Sequence, residues 1–233
     1  GPEVTDTNKS KYEFDNITTA LKMNSGSYVE MNWNRLPNPT SIELFIKPNN
    51  YTNYQTIISG SNWNLQLSGS TDSEYGTISF NSNTAYSSNT ISSSLLPIFN
   101  DKFFGILINS GSNGIGLSVR QANKERTIFE ESVSSSIVES AFTYGNKIKL
   151  GGNYSGSVDE FRIWNGVLDY QKFYEHVSFP EMINGNSVSS SIDDLYLRLD
   201  FEYPTNLVTT SSLFNVATNI YYSGSLVRNN YET

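Results

Sequence analysis

Apolar residues along this chain come in short runs, at residues 28–31, 41–47, 56–59, 63–67, 76–80, 103–108, 116–120, 147–150, 158–164 and 195–201. Turns rich in Ser, Asn, Gly and Pro separate them. Several runs alternate. In Ile42-Glu43-Leu44-Phe45-Ile46-Lys47, Ile42, Leu44 and Ile46 fall on one face; in Trp63-Asn64-Leu65-Gln66-Leu67, Trp63, Leu65 and Leu67 point one way and Asn64 and Gln66 the other. A period of two is that of a half-buried strand, because successive side chains of a strand leave opposite faces. Ten such strands joined by turns predict an all-β, antiparallel, two-sheet jelly-roll sandwich.

Helical periodicity is confined to residues 169–177. There Asp169 can cap the first turn, and Tyr170, Phe173, Tyr174 and Val177 share a face at the i, i+3, i+4, i+7 spacing. Pro180 ends it, since its ring removes a donor and clashes with the preceding turn. Two polar stretches read as linkers, residues 87–94 and 184–191. The second divides the chain into a body over residues 1–180 and a C-terminal extension over 181–233. Gly114-Ile115-Gly116 lacks the third glycine and following helix of a dinucleotide site, so it reads as a hairpin turn.

Composition sharpens this picture. The chain has 233 residues, of which 35 are Ser and 28 Asn, while charged residues make up 16% and aromatics 13%. That aromatic content is too high for a disordered polar tract. The net charge of −8 argues against binding a phosphate backbone through a basic surface. No cysteine is present, which removes disulfides, thiolate metal sites and cysteine nucleophiles. The single histidine, His176, cannot build a zinc site that needs two or three imidazoles, and no GxSxG elbow exists to pair with it. No apolar run is long enough to span a membrane. The opening Gly1-Pro2 is the pair a protease leaves on removing a tag, so the native ends are expected to lie beyond those given.

Residues 151–176 read GGNYSGSVDEFRIWNGVLDYQKFYEH: a Gly-rich turn, a strand, the turn Asn165-Gly166 and a short helix. This segment resembles the closing motif of laminin-G-like domains of the concanavalin A type. Tyr28-Val29-Glu30-Met31 is similar to an early strand of that family. Ser41-Ile42-Glu43-Leu44-Phe45-Ile46-Lys47-Pro48 is similar to the next, with Phe45 where Trp is usual. The resemblance covers about residues 12 to 178 and implies the jelly roll. Domains of this type with an Asn/Ser/Tyr-rich, cysteine-free composition are also similar to modules of large tailed-phage virion proteins. Residues 194–201 (DLYLRLDF), followed by Asn206-Leu207, look like the strand that opens a further unit in those proteins. The competing reading makes residues 192–203 one more strand of this domain.

The resemblance implies a non-enzymatic structural or adhesion module of a phage virion. It would bind host-surface glycan weakly or pack on other virion proteins or on further domains of the same chain. A secreted or cell-surface bacterial adhesin is the alternative. Nucleic acid and membrane are not expected partners. Trp33, Tyr51 and Tyr54 sit among amides, a setting suited to stacking on sugar rings. No cofactor is required; calcium would draw on Asp159 and Glu160, although no run has the spacing of a preformed calcium loop. By alternation Asp159 falls with Phe161 and Ile163, at the edge of the core, and Glu160 with Arg162 and Trp164. The competing reading is structural: Asp159 accepts N–H bonds from the Gly-rich turn, and Glu160 pairs with a cation on its sheet face. A glycosidase needs two carboxylates across the scissile bond, and the E-x-D-x-x-E strand of glucanases of similar fold is missing, so enzymatic activity is not expected.

Overall fold

A computed structural model describes residues 19–32, 40–49, 54–70, 74–83, 88–123, 126–136, 142, 147–187, 194–201, 220–223 and 226–230. Along them run β1 (Thr19–Met23), β2 (Tyr28–Asn32), β3 (Thr40–Pro48), β4 (Gln55–Ser59), β5 (Trp63–Gly69), β6 (Gly76–Asn83), β7 (Ser88–Ser92), β8 (Phe104–Gly111), β9 (Gly114–Ala122), β10 (Thr127–Ser135), β11 (Lys147–Gly151), β12 (Gly156–Asn165), α1 (Tyr170–Ser178), β13 (Leu195–Leu199), β14 (Ile220–Ser223) and β15 (Leu226–Asn230). The first sheet has the order β10-β9-β8-β3-β12-β1-β15, with β13 also on β12; the second has the order β14-β2-β11-β4-β5-β6-β7. Both are antiparallel, and the fold is the expected all-β sandwich. No helix among the described residues is long and apolar enough to cross a membrane.

The core lies between the sheets, where the inward sets Ile42, Leu44, Ile46 and Trp63, Leu65, Leu67 meet. In β5 the outward residues are half-buried, as in a sheet with one solvated face. In β3 every residue is buried. The reason is a second, smaller cluster on the outer face of the first sheet, where Phe45, Leu107 and Trp164 pack beneath Phe173 and Val177 of α1. Asp169 caps that helix by accepting from the Gln171 N–H at 2.7 Å. Gly105 lets it sit close, because a Cβ there would lie 2.6 Å from Val177 Cγ2.

The chain from β12 to β13 departs from simple alternation. Val158 pairs with Ile46 and Asp159 with Phe45, but the next partners are Arg162 and Glu43. Three steps along β12 thus match two along β3, a bulge at Glu160, whose φ of 47° lies in the left-handed region. The extra residue turns Val158 and Phe161 both into the core and sends Asp159 outward with its partner Phe45, not inward with Phe161 as alternation alone implies. Trp164 lies outward, as expected.

The first linker reading, over residues 87–94, is corrected by a strand, and of the second, over 184–191, residues 188–191 lie outside the described residues. Residues 88–92 form the edge strand β7, paired with β6. The segment 184–187 is tied to the helix and its approach: Asn186 accepts from the Asp169 N–H at 2.8 Å and donates to Val167 O at 2.7 Å. Of the C-terminal strands, β13 pairs with β12, β14 with β2 and β15 with β1. The hairpin near residue 114 turns at Ser112-Asn113, placing Ile115 and Gly116 within β9.

Candidate functional site: an outer-face groove beside the helix

The register of the first sheet lays its outward residues out in rows. One row runs Asp159, Phe45, Gly105, Arg120, Glu130; the next Arg162, Glu43, Leu107, Ser118, Ser132; the third Trp164, Ser41, Asn109, Gly116, Ser134. Helix α1 covers the middle of these rows. Toward β9 and β10 they emerge from beneath it as a groove of about 530 Å³, lined by Asn109, Gly116, Ser118, Glu130, Ser132 and Tyr170 among others. That volume falls within the range of small-molecule sites.

Each wall has a local cause. Tyr170, the first residue of α1, is held by the Asp169 cap and donates its hydroxyl to Glu130 Oε2 at 3.3 Å. Burial first, and then the Glu130 charge, push that phenol above its ordinary value, so it stays a donor. Ser118 and Ser132 share a hydrogen bond of 2.8 Å across β9 and β10. The Asn109 amide donates to Leu168 O at 3.4 Å, and its Oδ1 is buried without a partner among the described residues. Gly116 forms an open floor: a Cβ there would meet only Asn109 Cβ, at 3.8 Å. Beneath Glu130 lies Arg120, 1% exposed, donating to Tyr174 O at 2.8 Å and to Thr127 Oγ1 at 2.7 Å. Burial lowers its guanidinium from the ordinary value, against the opposing pull of Tyr174 and Glu130.

The other end of the same rows is a buried charge network. Glu43, fully buried, accepts from His176 Nδ1 at 3.0 Å, Trp164 Nε1 at 2.9 Å and Arg162 Nη1 at 3.4 Å. His176 stacks on Trp164 with ring centroids 5.5 Å apart, and its Nε2 meets Asn184 O at 3.0 Å. Both ring nitrogens therefore face oxygen atoms. Glu160 receives Arg162 Nε at 3.0 Å and Arg198 Nε at 2.7 Å, and Arg198 Nη2 reaches its other oxygen. Arg162 also donates to Pro180 O. The network fastens α1 and the following turn onto the sheet.

Among the residues singled out from sequence, Trp33 and Tyr51 lie outside the described residues. Tyr54 stands just before β4, 69% exposed. Asp159 and Glu160 are both buried within β12. Guanidinium groups face both oxygens of Glu160, the structural role weighed for it. Asp159 Oδ1 is buried without a partner among the described residues, and burial, then the Glu160 charge, push its carboxyl well above the aspartate range. No cluster of three or more His, Asp or Glu side chains among the described residues is placed to hold a metal. Tyr54, Asp159 and Glu160 do not line the groove. Its signal in the sequence is faint, the alternation of Phe129, Glu131 and Val133 with Glu130, Ser132 and Ser134, and pairing with Gly116 and Ser118 appears only with the register.

No protein-family model and no curated protein sequence matches this chain. Solved structures do. A Bacteroides ovatus protein described as a candidate carbohydrate binder superposes with a TM-score of 0.59 at 13% identity, over 93% of this chain and 61% of the other. Tailspike protein 2 of an Escherichia coli O157:H7 bacteriophage gives 0.53 at 13% identity, over 73% of this chain and 25% of the other. The carbohydrate-binding module of a Ruminococcus gnavus sialidase, bound to α2,3-sialyllactose, gives 0.51 at 12% identity, over 68% of this chain and 96% of the other. This chain thus spans about three fifths of the first of these and a quarter of the second. Such likeness shows a shared fold, a sandwich of two antiparallel sheets.

Proposed function

We propose that this domain is a non-enzymatic module that binds cell-surface glycan weakly through the outer-face groove, as part of a larger virion protein. The observation that carries the reading is the groove itself. It combines an aromatic wall (Tyr170), an open glycine floor, serine hydroxyls, an amide and one exposed carboxylate, the mixture of ring face and acceptors that a polyol needs. Sugar-binding proteins of the same fold support it by analogy. The virion setting is supported by the sequence resemblance of residues 194–201 to phage modules and by the tailspike that shares the fold. Many copies on a particle turn weak sites into strong adhesion.

A binding role without catalysis fits the carboxylates. Hydrolysis of a glycoside needs two across the scissile bond. Of the two glutamates lining the groove, Glu130 is exposed to it, while both oxygens of Glu131 accept from the Ser94 N–H at 2.9 Å. Hydroxyl, amide and carboxylate groups suffice for the contacts, so the reading needs no metal.

The test is a glycan array probed with the domain displayed on beads, with calcium and with chelator, in parallel with Gly116→Val. Gly116 has ordinary strand φ and free space above it, so the valine fills the groove while the fold stands. Binding by the native domain in both conditions, lost in Gly116→Val with unchanged thermal unfolding, is the expected result. No binding, or binding indifferent to Gly116→Val, defeats the proposal.

A further inference from the structure

We propose that the groove selects neutral and amine-bearing glycans and rejects those carrying carboxylate or sulfate. The inference rests on the groove being a glycan site and goes beyond it to the class of sugar admitted. Its basis is an ion pair whose two members are unequally exposed. Glu130 and Arg120 approach at 3.2 Å between Oε2 and Nε, yet the glutamate side chain is 46% exposed and the arginine side chain 1%. Arg120 spends Nη1 on Tyr174 O and Nη2 on Thr127 Oγ1, and it lies under the Tyr174 ring. A ligand in the groove therefore meets the anion and not the cation.

Among the described residues the rest of the lining, which includes Asn109, Ser118, Glu131, Ser132 and Tyr170, adds no cation. Oε2 of Glu130 serves Arg120 and Tyr170, and 46% of the side chain stays open to a ligand, Oε1 being the oxygen these two contacts leave out. A sugar hydroxyl or an ammonium can donate to Oε1. A ligand carboxylate or sulfate can only oppose it, at a separation where like charges repel with little intervening screening. Glu131 adds to the negative field from the neighbouring position, and the chain as a whole carries −8.

The same lining distinguishes this groove from a site for acidic sugars, which needs an arginine or lysine presented to the ligand. Here the arginine is turned under an aromatic ring, and Glu130 screens it from above. Neutralising the carboxylate removes the barrier without filling the space.

The experiment uses an array of neutral, amine-bearing and carboxylated or sulfated oligosaccharides, read at low and at physiological ionic strength. The native domain is expected to favour the first two classes by roughly tenfold over the third at low salt, a gap that shrinks as salt rises. Glu130→Gln should narrow the gap. Glu181→Gln, which removes the same charge from an exposed site off the groove, should not, and thermal unfolding checks that each variant is folded. Acidic glycans bound as tightly as neutral ones, in a manner abolished by Gly116→Val, would overturn the selectivity while leaving the glycan site standing. Equal narrowing by both glutamine variants would overturn it too, by tracing the gap to net charge. If no binding depends on Gly116, the site and the selectivity fall together.

Discussion

His176 and Glu43, 133 positions apart in the chain, meet at 3.0 Å in a place where neither is exposed to solvent. Their contact joins the helix to the middle of the first sheet, and Trp164 and Arg162 complete the shell around the carboxylate. Removing the shared carboxylate leaves Trp164 Nε1 and His176 Nδ1 facing no acceptor in a place water does not reach, while Arg162 keeps Glu160 and Pro180 O. Glu43→Ala is therefore expected to cost about 3–5 kcal/mol in unfolding free energy, measured by urea titration, because two buried donors lose their acceptor and a buried guanidinium loses one of its two counter-charges. A loss below about 1 kcal/mol would mean that the network is not what holds α1 down.

Two of the buried carboxylates, Glu43 and Asp159, give stability opposite dependences on pH. Burial pushes Glu43 up, but the positive charges of His176 and Arg162, with hydrogen bonds from His176 and Trp164, outweigh it and hold the carboxyl below 4.5. A lowered acid contributes stability that is complete above its unfolded value and lost as pH falls through the folded one. Asp159 is raised, by burial and then by Glu160, so its contribution is complete below 3.8 and lost as pH rises through its folded value. Stability measured against pH should therefore show the native protein losing ground to Glu43→Gln on acidification, and losing ground to Asp159→Asn as pH rises above the aspartate range. Parallel curves for native protein and either variant would contradict the assignment of that residue.

Much of the frame was legible in the chain, and the reasons it stopped being legible are local. Inward sets such as Ile42, Leu44, Ile46 and Trp63, Leu65, Leu67 announce themselves by period two, and the helix by its cap and its apolar stripe. The helix falls within one residue of the expected span. Alternation fails at Glu160, because an inserted residue with positive φ leaves no mark on a pattern of apolar and polar letters. It also fails at Glu43, which reads as a solvated position and is buried by a helix more than a hundred residues away. The groove is less legible still. Its walls come from β8, β9, β10 and α1, each contributing small polar residues that a chain so rich in Ser and Asn displays everywhere. Set among amides, Tyr54 has the sequence setting of a sugar platform, whereas Tyr170, the ring that lines the groove, has in the sequence only the place of one member of a helical face.

The close seat of the helix depends on Gly105. A methyl group there would come within 2.6 Å of Val177 Cγ2 and 3.1 Å of Phe173 Cε2, both on the buried face of α1. Gly105→Ala should lift the helix from the sheet at a cost of about 1–3 kcal/mol, as overpacking of a filled core does. Because Tyr170 travels with the helix, glycan binding should weaken along with thermal stability. Full binding in a destabilised Gly105→Ala protein would show that the groove does not need the helix in this seat.

Two tyrosines compete for the role of sugar platform. Tyr54 is the exposed aromatic that the sequence favours as a sugar platform, at the start of β4 on the second sheet; Tyr170 is the half-buried wall of the groove on the first. An aromatic that anchors a ligand gives more than about 1 kcal/mol when truncated, which is roughly five- to tenfold in affinity. Tyr170→Ala is expected to show that loss on a glycan array, with little change in unfolding, since its ring is partly solvated and its hydroxyl bond to Glu130 is long. Tyr54→Ala is expected to bind as the native protein does. The reverse result, with binding lost in Tyr54→Ala and kept in Tyr170→Ala, would move the site to the β4 end of the second sheet and return the decision to the residues beside it.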